Sequence, residues 1–108
     1  MMENEFSYFE DLASELPEIS PDSIVSRTLY DDDQHKAILF GFAPGQELSE
    51  HTASMTALLY FIRGQAKLTL GGADRSAAAG TWVRMEPCLP HSVLAETEVF
   101  MLLLLLKQ

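Results

Sequence analysis

The chain has 108 residues, of which 47% are hydrophobic and 21% are charged, so it can form one folded domain with a hydrophobic core and no more. Seven Lys and Arg against sixteen Asp and Glu give a net charge of −9, which argues against binding to nucleic acid or to an anionic membrane surface, because both attract basic patches. The single cysteine excludes an internal disulfide, and the acidic, aromatic start of the chain lacks the pattern of a signal peptide. We therefore expect a cytoplasmic protein.

Residues 1–22 are predicted to form a short N-terminal helix and a brace that lies on the rest of the chain. Ser7 and Glu10 have the spacing of a capping box, in which each side chain satisfies a backbone N–H at the helix start. Apolar residues recur at helical spacing at Phe9, Leu12, Ala13 and Leu16. Pro17 ends the helix because its ring cannot continue it.

Residues 23–108 are predicted to form a single all-β domain. Runs of β-forming residues alternate with turns of Gly, Pro and Asp, and strands are predicted at 24–30, 36–42, 56–62, 66–70, 81–85, 92–95 and 99–106. Gly71 and Gly72 provide a strong hairpin signal. A series of short strands such as these, after one small helix, is typical of a sandwich or barrel.

Two of these runs, 57–62 and 99–106, are apolar at every position. The second is too short to span a bilayer. A strand with one face in water should alternate apolar and polar residues, so both faces of these strands must be covered. The barrel interior and the N-terminal helix could cover them, or a second subunit could, and we expect a homodimer.

Two segments resemble the sequence motifs of the cupin superfamily. Gly45, His51 and Gly64 have the spacing of G-x5-H-x-H-x3-E-x6-G, and Gly80 and His91 have that of G-x5-P-x-G-x2-H-x3-N. The resemblance covers roughly residues 37–106. It implies that 23–108 form a cupin barrel, a double-stranded β-helix or jelly roll.

The resemblance also implies a metal site with half of its usual ligands. Cupins that bind a catalytic metal supply two histidines and a glutamate from the first motif and one histidine from the second. Here His51 and His91 remain, while Ala53 and Ala57 stand at the other two positions. Two imidazoles suit Zn, Ni, Fe or Cu, but a stable site normally has three or four protein ligands. Glu47 shares the alternation of His51, although it precedes the predicted strand.

Two interpretations of the histidines stay open. They either hold a divalent metal completed by water or substrate, or form a metal-free pair that shares a water. In both cases the alanines make the barrel interior roomier and more apolar. The residues that could line this pocket are Ala53, Ala57, Leu59, Phe61, Trp82, Met85 and Met101. Each of the last five is more often simple core than a ligand contact.

The predicted function is therefore a stand-alone barrel that binds a small, largely apolar organic molecule with one polar group. The alternative is a small metal-dependent enzyme of the dioxygenase, isomerase or decarboxylase type, since similar single-domain cupins include these. The absence of the glutamate, at Ala57, favours the binding module, because such chemistry usually draws on an anionic ligand and a nearby base.

Overall fold

A computed structural model describes residues 5–107. In this part of the chain, one turn of 3-10 helix at Leu12–Glu15 is followed by nine strands. The strands are β1 Ile24–Asp31, β2 His35–Phe42, β3 Glu47–His51, β4 Thr56–Arg63, β5 Ala66–Leu70, β6 Ala73–Ala77, β7 Trp82–Met85, β8 His91–Ala95 and β9 Val99–Leu106. Within 5–107, no helix has the length and apolar character needed to cross a membrane.

The strands form two antiparallel sheets. One has five strands in the order β1-β2-β9-β4-β7, and the other has four in the order β3-β8-β5-β6. The main core lies between them, and its largest fully buried side chains are Phe42, Phe61, Leu68, Met85, Val93, Val99 and Met101. The predicted all-β jelly roll is confirmed.

Two strands, β3 and β6, are not among those predicted from the sequence. Each is an edge strand of the four-stranded sheet, and most of its residues are exposed. Edge strands are often polar, since an apolar edge would invite pairing with other chains. An apolar run is therefore a poor guide to strands in this position.

The N-terminal helix is shorter than predicted and begins later. Asp11, rather than Ser7, caps it, and its carboxylate accepts a hydrogen bond from the Ala13 N–H at 3.2 Å. The capping box of Ser7 and Glu10 is wrong. With its start at Asp11 and Pro17 just beyond its end, the helix forms a single 3-10 turn rather than a longer α-helix.

The segment from residue 11 to residue 19 packs on the outer face of the five-stranded sheet. It forms a second apolar cluster with members Ala13, Leu16, Ile19, Val25, Leu29, Leu39, Ile62 and Phe100. Gly41 gives the segment room, because a Cβ at this position would lie 2.6 Å from Ile19 Cδ1. An ion pair of 2.7 Å between Arg27 and Glu15 also ties the segment to β1.

A candidate ligand site built on two histidines

The structure brings His51 and His91 together. They stand directly opposite each other where β3 pairs with β8, and their ring centroids are 4.2 Å apart with the ring planes at 56°. His91 is 7% exposed and shares the interior face of β8 with Val93 and Ala95. His51 is exposed at the end of β3. The pair thus lies at one end of the barrel, with the His91 ring buried and the His51 ring in contact with solvent.

A β-bulge in β3 places His51 in this position. Leu48 pairs with Val93 and His51 pairs with His91, so three steps along β3 match two steps along β8. The extra residue allows Leu48 and His51 to lie on the same face, and bulges often serve to redirect a side chain in this way. Glu47 pairs with Leu94 on the outer face, so the sequence expectation that it shares the face of His51 is wrong.

Both imidazoles are oriented by backbone carbonyls. His51 Nδ1 lies 2.7 Å from the Ser49 carbonyl oxygen, and His91 Nδ1 lies 2.8 Å from that of Leu89. A carbonyl oxygen can only accept, so each Nδ1 carries the proton and donates it. In the neutral ring, Nε2 then keeps its lone pair. Each ring can therefore accept a hydrogen bond or bind a metal through Nε2.

Burial keeps His91 neutral. It lowers the pKa of His91 below the usual 6.5, while the hydrogen bond to the Leu89 carbonyl acts in the opposite direction. The neighbouring His51 lowers the pKa of His91 further, because two positive charges at this distance repel each other. At neutral pH, His91 Nε2 is thus an acceptor rather than a donor.

The side chains beside the pair are apolar, and one backbone hydrogen bond connects the two loops next to it. Leu70 pairs with His91 across β5 and β8, and Leu70 and Leu89 are partly buried against the main core. The Cys88 N–H donates to the Ala53 carbonyl at 2.7 Å, which links the turn before β8 to the loop after β3. Cys88 stands at a glycine position of the cupin motif and adopts the left-handed conformation that glycine favours, with φ 68°.

Most of the residues predicted to line a pocket lie in the interior. Five of them are at most 2% exposed and belong to the main core: Ala57, Leu59, Phe61, Met85 and Met101. Ala53 is half-buried in the loop between β3 and β4. The core residues pack against one another, as their types suggested.

Trp82 is the exception, and the expectation that it faces the interior is wrong. It is 59% exposed. Ala57 pairs with Met85 and Tyr60 pairs with Trp82, so alternation directs Met85 into the core and Trp82 to the outer face with Tyr60. A four-residue strand in the sequence does not reveal which of its two faces is covered.

The described residues do not form a complete metal site. Within 5–107, no group of three or more His, Cys, Asp or Glu side chains could hold a metal ion. The donor set is two imidazoles, and Ala57 contributes only a buried methyl group where a cupin metal site would have its glutamate. Catalytic zinc sites use three protein ligands and structural sites use four. A metal bound here would need its other ligands from water or a small molecule.

Comparison with known proteins decides the family. A family model described as the cupin domain matches residues 38–106. The chain belongs to the cupin family. No protein of curated function matches it.

Several solved structures have the same fold as this cupin. A conserved Streptococcus pyogenes protein of unknown function is 28% identical, with a TM-score of 0.85 over 97% of this chain and 91% of its own. A cupin superfamily protein from Desulfitobacterium hafniense is 23% identical, with a TM-score of 0.84 over 90% of this chain and 88% of its own. A cupin 2 conserved barrel domain protein from Leptotrichia buccalis is 28% identical, with a TM-score of 0.80 over 87% of this chain and 46% of its own.

All three cupin motif glycines have backbone conformations that other residues rarely adopt. Gly45 has φ 84°, and Gly64 and Gly80 both have φ 95°. At Gly64, a Cβ would also collide with the Glu98 carbonyl oxygen and lie 2.9 Å from Val99 Cα, whereas at Gly80 it would meet nothing. The first motif therefore ends in a glycine because two parts of the backbone come very close there.

Proposed function

We propose that this cupin binds a small organic molecule at the end of the barrel where β3 ends and β8 begins, with His51 and His91 as the polar recognition pair. The observation that carries the proposal is the geometry of the two rings, 4.2 Å apart. Each Nδ1 is committed to a backbone carbonyl, which leaves both Nε2 atoms available to a ligand. Binding pockets typically combine a few such polar atoms with apolar walls.

The chemistry of the pair defines the class of ligand. Neutral His91 needs a hydrogen-bond donor, so a hydroxyl group on the ligand fits directly. A carboxylic acid also fits if it transfers its proton to an imidazole, because the resulting pair is held by a charge-assisted hydrogen bond. Leu70 and Leu89 beside the pair favour an apolar body. The ligand class is a small, largely apolar alcohol, phenol or acid.

A thermal-shift screen of small aromatic and aliphatic alcohols and acids tests this proposal. A ligand present at a hundred times its Kd stabilises the folded state by about 2.7 kcal/mol, which is a readily measured shift. We expect a hit with the wild type and its loss in His51→Ala. The matched control is His35→Ala, since His35 begins β2 opposite Leu106, away from the pair, and it should keep the shift. No hit in the screen, or an equal shift in His51→Ala, would reject the proposal.

A second candidate is a divalent metal, Zn, Ni, Fe or Cu, held by the same pair. The observation that favours it is the bond from each Nδ1 to a carbonyl, which is how proteins commonly orient metal-binding histidines. Elemental analysis of the wild type, His51→Ala, His91→Ala and His35→Ala tests it. Near-stoichiometric metal that is lost only in the first two variants would support it, and only then would an enzyme of the dioxygenase, isomerase or decarboxylase type follow. An absence of metal after loading would reject it.

We propose a cytoplasmic setting for this binding function. Cys88 is exposed and is the only cysteine of the chain, so it has no disulfide partner within the molecule. A free surface thiol suits a reducing compartment.

A further inference from the structure

The outer face of the five-stranded sheet is apolar across several strands, yet the chain covers only part of it. At one end, Phe100 and Leu39 are buried beneath the segment that contains Leu16 and Ile19. Further along the same face, the strand register defines two rows of neighbouring outward residues. One row runs from Trp82 to Tyr60, Leu102 and Leu39. The next runs from Arg84 to Leu58, Leu104 and Ala37.

The part of this face outside the covered end is the outer patch. Its apolar members are Leu58, Tyr60, Trp82, Leu102, Leu104 and Leu106. Trp82 is 59% exposed and Tyr60 is 43% exposed, while the four leucines are half-buried. Trp82, Tyr60 and Leu102 are neighbours on adjacent strands, and Leu58 and Leu104 lie beside them in the next row. Together they form one continuous apolar surface.

The outer patch is almost free of charge in a strongly acidic chain. The charged outward residues of its rows are Arg84 and, at the covered end, Arg27, and each guanidinium pairs with a carboxylate: Arg84 with Glu86 at 2.6 Å and Arg27 with Glu15 at 2.7 Å. Within residues 5–107, no acidic residue occupies an outward strand position in these rows. At the rim, His35 stacks on Tyr30 with ring centroids 5.0 Å apart.

We propose that the outer patch is the two-fold interface between two copies of this chain. In a two-fold interface the same patch meets itself, so any net charge on it would face its own like charge. In a chain of charge −9, a surface without net charge is the one that meets its own copy with the least repulsion, and the outer patch is such a surface. A partner that recognised the acidic character of the chain would bind elsewhere.

The area of the outer patch fits this occupant. An aromatic side chain offers about 150–250 Å², so Trp82 at 59% and Tyr60 at 43% exposure together leave on the order of 200 Å² open. A standard interface covers about 800 Å² on each partner, of which about 56–65% is apolar. The two aromatic residues therefore supply close to half of the apolar area needed, and the four leucines add to it. Trp82, on the edge strand β7, is the kind of large aromatic residue that carries binding energy.

Trp82 provides a direct test because it is the only tryptophan in the chain. Its fluorescence emission in the unmodified protein should move to longer wavelength on dilution, as the side chain becomes exposed to water. Light scattering over the same concentrations should show the mass falling from twice the chain mass of 12.0 kDa to that mass. A monomer at all concentrations, or a mass that keeps rising beyond the dimer, would overturn the proposal.

Two variants locate the interface. Trp82→Glu places a carboxylate in the outer patch, where it would face its own copy, and we expect a monomer that retains the circular dichroism of the wild type. The matched control is Leu94→Glu, because Leu94 is 37% exposed on the outer face of the other sheet, and it should remain dimeric. If Trp82→Glu unfolds, the concentration dependence of the wild-type fluorescence still decides the matter. Dimers in both variants, or monomers in both, would overturn the assignment to the outer patch.

Discussion

Replacing Gly64 by Ala should destabilise this cupin far more than the same change at Gly80. Both glycines have φ 95°, so alanine costs about 1–3 kcal/mol of backbone strain at either position. Both changes also reduce the conformational entropy of the unfolded chain to the same extent, so this contribution cancels when the two variants are compared. At Gly64 alone, the new methyl group would meet the Glu98 carbonyl and Val99 Cα. These are backbone atoms that cannot rotate away, and such overpacking typically adds about 1–3 kcal/mol.

The free energy of unfolding should therefore fall by about 1–3 kcal/mol in Gly80→Ala and by roughly 2–6 kcal/mol in Gly64→Ala. The larger loss is a substantial part of the total stability of about 5–15 kcal/mol that is typical of folded domains. Urea denaturation of both variants, with thermal melts in parallel, measures the difference. Equal losses would show that the close approach of Glu98 to Gly64 does not matter and would refute the reasoning.

The remaining predictions concern the buried histidine and the N-terminal segment. The folded-state pKa of His91 is below 6.5, so the folded state resists protonation and its stability should decrease as pH falls from about 7 through the unfolded pKa towards the folded one. In His91→Asn, urea midpoints at about pH 7 and pH 5 should differ less than in the wild type, and an equal difference would contradict this. His51→Ala should raise the pKa of His91, because it removes a repelling charge; an NMR titration would detect the shift, and an unchanged midpoint would count against it. Gly41→Val should displace Ile19 and expose the N-terminal segment to limited proteolysis, and an unchanged cleavage rate would show that the contact is dispensable.

The two histidine rings are oriented without the side chains at the other two ligand positions of the cupin motif. Each ring is oriented by a carbonyl two residues earlier in its own segment, Ser49 for His51 and Leu89 for His91. This local support does not depend on a metal or on the side chains at positions 53 and 57. The pair is thus positioned by the backbone of β3, its bulge and the turn before β8.

The position of these rings could be predicted only in part. The spacing of the motif identified His51 and His91, and the structure places them opposite each other. The bulge could not be anticipated, because an extra residue in β3 is defined only by its pairing with β8. For the same reason, simple alternation placed Glu47 on the wrong face. The positive φ at Cys88 could be guessed from its place at a motif glycine, although its residue type does not suggest it.

By itself, the amino-acid sequence determined the family, the turns and seven of the nine strands described in residues 5–107, because runs of β-formers and glycines with special backbone angles act locally. It also determined that 57–62 and 99–106 are apolar on both faces. Only the tertiary structure decided what covers those faces. Inward residues such as Met101 join the core, Phe100 lies under the N-terminal segment, and Trp82 stays exposed. These outcomes depend on strand register and on contacts between residues distant in the chain, which no local pattern of side chains specifies.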